Sequence, residues 1–280
     1  MTSRAMYFGE AAWAALLLVA CVITVGMTGC GGSPVHSVPV LPATNITGNW
    51  VLTVNPTGGG ASPIAVYLTS NAGSVSGLAV GPAATDLLVY PDGCVGSPIG
   101  PFSNVLLTGT VDSGGNLKLS TAANAIPSAT MTGTVSGSSL SNGSFAISGT
   151  CTTQGSMIGI EYPAVNGTYS GTVMSQATAQ SFQVTATLDQ SSAPNSAGLL
   201  VLTGTATVSG YPCVPATATA LSASFVGDNF FVDLSDSPSG ILGWSGNLSP
   251  DGKTLGINYG FSPASTNCME DYGTGTLTLQ

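Results

Sequence analysis

From Thr47 onward this chain alternates apolar with polar or small residues at a period of two, and turn signals cut the alternation into blocks of strand length. Asn116-Leu117-Lys118-Leu119-Ser120, Ser144-Phe145-Ala146-Ile147-Ser148, Gln183-Val184-Thr185-Ala186-Thr187-Leu188 and Thr274-Gly275-Thr276-Leu277-Thr278-Leu279 carry the pattern. Successive side chains of a strand point to opposite faces, so each block buries one face and wets the other. Asp112-Ser113-Gly114-Gly115, Ser141-Asn142-Gly143, Gly227-Asp228-Asn229 and Pro250-Asp251-Gly252 supply the positive φ that hairpin turns require. No stretch beyond the N-terminal segment has a convincing 3.6-residue period. The expected class is all-β, built of antiparallel hairpins that close into an up-and-down barrel or stack as a two-sheet sandwich.

The pattern occurs twice. Ile46-Thr47-Gly48-Asn49-Trp50 is echoed by Val165-Asn166-Gly167-Thr168-Tyr169. Gly48 precedes Cys94 by 46 residues, and Gly167 precedes Cys213 by the same 46. The next cysteine follows 57 residues later at Cys151 and 55 later at Cys268. Between them Thr132-Gly133-Thr134-Val135-Ser136 matches Ser245-Gly246-Asn247-Leu248-Ser249, and each copy closes with one more strand. Shared order and spacing identify a duplication. The copies are expected over 46–163 and 164–280, as tandem meander domains of about eight strands each.

An opening Gly-x-Trp on the first strand of an eight-stranded meander resembles the calycins, the up-and-down barrels that include lipocalins and avidins. Ile46 to Trp50 is similar to the first avidin strand, and Tyr169 replaces the tryptophan in the second copy. The resemblance implies a barrel and carries over no binding residue. Trp50 itself is expected to plug one end of the barrel.

The first thirty residues differ in kind. Arg4 precedes an uncharged run from Ala11 to Val25, and small residues lead to Met27-Thr28-Gly29-Cys30. The run is too short for the roughly 20 residues of a membrane-spanning helix. It reads as a secretory signal over 1–29, and its end resembles the lipobox of bacterial lipoproteins. That resemblance implies lipidation of Cys30 with palmitate-type chains and anchoring to a bacterial envelope, at the outer membrane. Leu18-Val19-Ala20-Cys21 also fits a lipobox, but cleavage there leaves a shorter apolar core and an apolar mature N-terminus. Residues 30–45, with Pro34, Pro39 and Pro42, read as an extended tether at about 3.1 Å per residue. The tether carries His36, the chain's only histidine, read as a solvated side chain.

Beyond Cys30 the basic side chains are Lys118 and Lys253 alone, while of twelve carboxylates only Glu10 precedes it. Phosphate-gripping proteins need several Lys or Arg to release counterions, so nucleic acid is excluded as a partner. Neither a Ser-His-Asp nor a Cys-His pair can form without a histidine in the body. Without arginine there is no bidentate clamp for an anionic substrate. Lys118 and Lys253 sit beside turns as solvated side chains. Asp228, Asp233 and Asp236 lie along one hairpin and Glu270 and Asp271 follow Cys268. A carboxylate pair could cleave a glycosidic bond, and a cluster could hold Ca²⁺, but turn capping and solvation explain both sets.

Beyond Cys30 the mature chain has four more cysteines, which allow three pairings in an oxidising compartment, and the duplication selects Cys94–Cys151 and Cys213–Cys268. No CxxC pair or nearby histidine supports zinc. The expectation is therefore no enzyme, no cofactor and no metal. An envelope-anchored binding module for a small neutral or apolar ligand or an envelope component comes first. A structural or adhesive surface protein is the alternative, and a carboxylate-dependent glycosidase a distant third. A sealed core would favour the structural role, and an open pocket lined by aromatics the binding role.

Overall fold

A computed structural model describes residues 41–80, 105–122, 128–149, 152–214, 216–233, 240–264 and 268–280. Cys21, Cys30, His36, Cys94, Cys151 and Asp236, and with them the expected lipidation site and the expected first cysteine pair, lie outside these residues. The described chain is all-β. The first barrel contains β1 (Gly48–Pro56), β2 (Ser62–Asn71), β3 (Ser74–Val80), β4 (Val105–Val111), β5 (Asn116–Thr121), β6 (Ser128–Ser136), β7 (Ser139–Ser148) and β8 (Thr153–Tyr162). The second contains β9 (Gly167–Ser175), β10 (Ser181–Gln190), β11 (Leu200–Ser209), β12 (Thr219–Val226), β13 (Asn229–Asp233), β14 (Gly240–Leu248), β15 (Thr254–Pro263) and β16 (Asp271–Leu279). Each set is an antiparallel meander whose last strand pairs with its first, so both are closed barrels rather than sandwiches. No helix occurs among the described residues.

Alternation builds the inner walls. On β10, Phe182, Val184, Ala186 and Leu188 are buried while Gln183, Thr185, Thr187 and Asp189 face water. Trp50 and Tyr169 are each 1 % exposed and occupy equivalent places in their barrels. Their polar atoms are satisfied, the Trp50 indole donating to the Ile46 carbonyl (3.0 Å) and the Tyr169 hydroxyl to that of Gly252 (2.8 Å).

The strand registers superimpose the repeats around the whole circumference. Trp50 pairs with Val66 and Glu161 as Tyr169 pairs with Ala186 and Leu279. Gly77 opposite Leu68 corresponds to Gly204 opposite Leu188. Gly133 on β6 corresponds to Gly246 on β14. One turn signal does not make a turn: Ser141-Asn142-Gly143 lies within β7, where Asn142 has φ 50° and the register shifts between Leu140 and Gly143. Its positive φ serves a bulge, and Gly137 and Ser138 make the hairpin instead.

The two barrels touch through the outer wall of β1–β3 and the loops at one end of the second barrel. Asn49 is 3 % exposed and clasps the β12–β13 turn, accepting from the Gly227 N–H (2.6 Å) and donating to its carbonyl (2.7 Å). Gly227 has φ 68°, and a Cβ there would press on Ala65 and Val51 at 2.7 and 2.9 Å. A Cβ at Gly198 would press on Leu78 and Val80 at 2.8 and 3.1 Å, and the Tyr67 hydroxyl donates to the Ser192 carbonyl at 3.3 Å.

Candidate functional site

The interior of the second barrel is filled. Apolar residues including Leu202, Phe225, Trp244 and Leu277 leave a void of only about 10 Å³ among them, at the lower limit for one water and without polar partners to hold it. One end is plugged by rings, with Phe182 against Tyr211 (5.0 Å) and Tyr259 (5.2 Å), and Tyr211 against Phe261 (5.6 Å). Beside these rings Asp271 is 4 % exposed and accepts from the Tyr259 hydroxyl (2.6 Å) and the backbone N–H groups of Tyr272 (2.8 Å) and Ala177 (3.2 Å). Burial pushes this carboxyl up, but hydrogen bonds from Tyr259, Ser175, Ala177 and Tyr211 outweigh it, and Asp271 stays below the ordinary aspartate value. Burial and the same carboxylate push the Tyr211 and Tyr259 phenols upward. The cluster is an ionised, fully engaged knot.

Open space on the second barrel lies outside, on the wall of β13–β16. A groove of about 540 Å³ runs between Phe231 on β13 and Tyr272 on β16, floored by Gly243, Ser245, Asn258 and Gly260 of the two strands between them. The registers place these side chains together: Phe231 is opposite Ser245, Ser245 opposite Asn258, Gly243 opposite Gly260, and Gly260 opposite Tyr272. Both walls are solvent-exposed, Phe231 by 61 % and Tyr272 by 63 %. Glu270 and Ser262 complete the rim.

The floor glycines are unlike most strand glycines here. A Cβ at Gly171 or Gly246 would run into the carbonyl of Thr276 or Gly256, so close packing of strands excludes any side chain there. At Gly260 a Cβ would meet nothing within 4 Å, and at Gly243 its nearest neighbours are the Phe231 ring and the Val232 carbonyl at 3.9 Å. Neither has a positive φ. The fold does not require glycine at these places, and glycine in a strand costs roughly 0.5–1 kcal/mol relative to alanine.

Of the carboxylates singled out from sequence, Glu270 is at the groove and exposed, while its neighbour Asp271 turns inward to the knot. Asp228 sits in the β12–β13 turn, bonded to Asn229 (2.8 Å) and Asn247 (3.3 Å). Asp233 ends β13, roughly 15 Å away at strand rise. The hairpin therefore separates Asp228 from Asp233. Lys118 and Lys253 are exposed, and neither lines the groove. Among the described residues no three His, Cys, Asp or Glu side chains converge as a metal site. Cys213 and Cys268 form a disulfide with Cα atoms 5.9 Å apart, tying the β11–β12 loop to the segment that leads into Glu270 and Tyr272.

Sequence reasoning missed Phe231, Gly243, Gly260 and Tyr272, because each reads as an ordinary strand residue. The available signal was the repeat itself. Aligning Asn116-Leu117-Lys118-Leu119 with Asn229-Phe230-Phe231-Val232 sets a lysine against an exposed phenylalanine.

No family model matches the chain, and no curated protein matches it. Among solved structures it is similar to a protein of unknown function from the DUF3598 family of Nostoc punctiforme. The identity there is 8 % and the TM-score 0.27, covering 84 % of this chain and 96 % of that one. It is also similar to a mutant of the vaccine antigen transferrin binding protein B from Haemophilus parasuis. The identity is 13 % and the TM-score 0.24, covering 79 % of this chain and 54 %, about half, of the other. At these scores the similarities assign neither a family nor a ligand.

Proposed function

We propose that this chain is a lipid-anchored protein of a bacterial envelope and that its tandem barrels form a non-catalytic binding module. The observation that carries the reading is the groove on β13–β16: two exposed aromatic walls over a floor whose glycines the fold does not need. Binding sites combine apolar walls with a few polar groups that orient the ligand, and this wall supplies both. The lipobox-like Met27-Thr28-Gly29-Cys30 supports anchoring at Cys30, with the Pro-rich tether holding the body away from the lipid. A structural or adhesive role is the second reading, favoured by the filled second barrel and by the Asn49 clasp that joins two domains into one body.

The test is native mass spectrometry of the protein purified from its own envelope, beside the double variant Phe231→Ala with Tyr272→Ala. A retained ligand or partner that the double variant loses is the expected result; a wild type identical to the variant moves the assignment to the structural reading. In parallel, Cys30→Ser is expected to release the body into soluble fractions. Esterase, glycosidase and peptidase substrates are expected to give no turnover. Turnover abolished by Asp233→Asn with Glu270→Gln would replace binding with carboxylate catalysis.

A further inference from the structure

We propose that the β13–β16 groove binds a neutral saccharide, laid along the wall with sugar rings against Phe231 and Tyr272 and hydroxyls on Ser245, Asn258 and Glu270. The inference rests on the reading of the second barrel as a binding module and gives that module its ligand class.

Charge narrows the occupant first. Among the described residues no lysine or arginine lines the groove, Glu270 stands at its rim, and the chain carries a net charge of −9. A phosphate, sulfate or uronate would enter an acidic field with no cation to meet it. The chemistry of the lining narrows it further. An aromatic ring presents a negative face that attracts weakly positive C–H groups, and a sugar ring offers such C–H groups on one face and hydroxyls at its edge. The Asn258 amide both donates and accepts, the serine hydroxyls do likewise, and Glu270 accepts. These groups suit alcohols that must be donor and acceptor together.

Width separates a saccharide from a small cation, which an aromatic site in an acidic protein would also attract. A cation is held within about 6 Å of a ring centroid. Phe231 and Tyr272 lie three strands apart, roughly 14 Å along the sheet, so one small cation cannot engage both, whereas a chain of two or more sugar rings can. Between the walls, Gly243 and Gly260 keep the floor flat and low, as a close-lying ligand requires. Isolated exposed aromatics are ordinary on protein surfaces. Here an exposed pair flanks two glycines with room at their Cβ positions.

The experiment is isothermal titration of the oxidised full-length body with neutral oligosaccharides (β-glucan, mannan and chitin fragments), an acidic pectate fragment and choline. At least one neutral series is expected to bind, and pectate and choline are not. Phe231→Ala and Tyr272→Ala should each weaken binding about tenfold, and Gly260→Val should abolish it by filling the floor. Gly256→Val is the control. Gly256 lies on the same strand outside the groove with only the Asn247 carbonyl near its Cβ position, at 3.9 Å. It should therefore fold as Gly260→Val does and bind as wild type. Binding of choline or pectate in place of neutral glycans, or loss in Gly256→Val equal to that in Gly260→Val, overturns the saccharide assignment. If no glycan binds while native mass spectrometry still finds a ligand lost in the double variant, the saccharide fails and the binding module stands. If neither is seen, both fail.

Discussion

Across the groove, the outer wall of β6–β8 in the first barrel and that of β14–β16 in the second follow the same pairing register and carry different side chains. Where the second barrel has Gly243 opposite Gly260 and Gly260 opposite Tyr272, the first has Thr130 opposite Ala146 and Ala146 opposite Gln154. Lys118 holds the place of Phe231, and Thr132 and Ser144 those of Ser245 and Asn258. The first barrel has a recess here too, of about 460 Å³, but its exposed lining is threonine, serine, glutamine and Ala146, with no exposed aromatic. The inner walls, by contrast, keep matched apolar residues and the Gly133 and Gly246 pair. One molecule thus contains both the test and its control. The barrel closes equally well with either outer wall, so the aromatics and vacant glycines of the second repeat answer to something other than folding.

The comparison can be pressed hardest at the cross-links. Cys213→Ser with Cys268→Ser releases a loop spanning 55 residues, and the second barrel should lose on the order of 4 kcal/mol in urea denaturation. If the duplication extends to the cross-link, Cys94→Ser with Cys151→Ser is expected to cost the first barrel a similar amount. Non-reducing peptide mapping is expected to give Cys94 linked to Cys151; a link crossing Val165 would end the symmetry.

A smaller effect distinguishes the corresponding ends of the two barrels. Tyr259 and Asp271 of the second barrel correspond to Phe145 and Thr153 of the first, so among the described residues the carboxylate knot has no counterpart there. Because Asp271 lies below its ordinary value when folded, its stabilisation is present above about pH 3.9 and is lost as pH falls through the folded value. Hydrogen exchange should show the second barrel opening as pH falls through that range, with Asp271→Asn removing the pH dependence at a cost of about 1–3 kcal/mol. Equal loss in both barrels would place the acid sensitivity elsewhere.

The smallest change in stability should accompany the most informative graft. Lys118→Phe, Thr130→Gly, Ala146→Gly and Gln154→Tyr rebuild the groove on the first barrel. The two glycines should cost roughly 1–2 kcal/mol together, partly offset by the aromatic substitutions on strands. Glycan titration should then report a second site. A folded graft that binds nothing would show that the wall residues alone are insufficient.

Much of this was legible in the chain. Alternation revealed the inner walls because one face of each strand is dry, and the cysteine and Gly-x-Trp spacings revealed the duplication. Barrel and sandwich share that alternation, and only pairing of β1 with β8 and of β9 with β16 separates them. Val51 and Asn49 are buried for a reason outside their own repeat, the arrival of the second barrel, so no periodicity marks them. The groove was hidden differently. Phe231, Gly243, Gly260 and Tyr272 lie on four strands and become neighbours through three hairpin registers, a relation that local pattern does not express.

The Asn49 clasp is head-to-tail: the first barrel offers a side chain, the second a turn. Contacts of that kind repeat into filaments when both partners recur on every unit. Here they do not recur. The second repeat has Thr168 where the first has Asn49, and threonine has no amide to grip both the N–H and the carbonyl of an incoming turn. The first repeat's matching hairpin is one residue longer, with Asp112 folded over it to accept from the N–H groups of Gly114 and Asn116. The duplication copied the barrel but left each copy with half of the joint, so that the contact can be used once and does not grow.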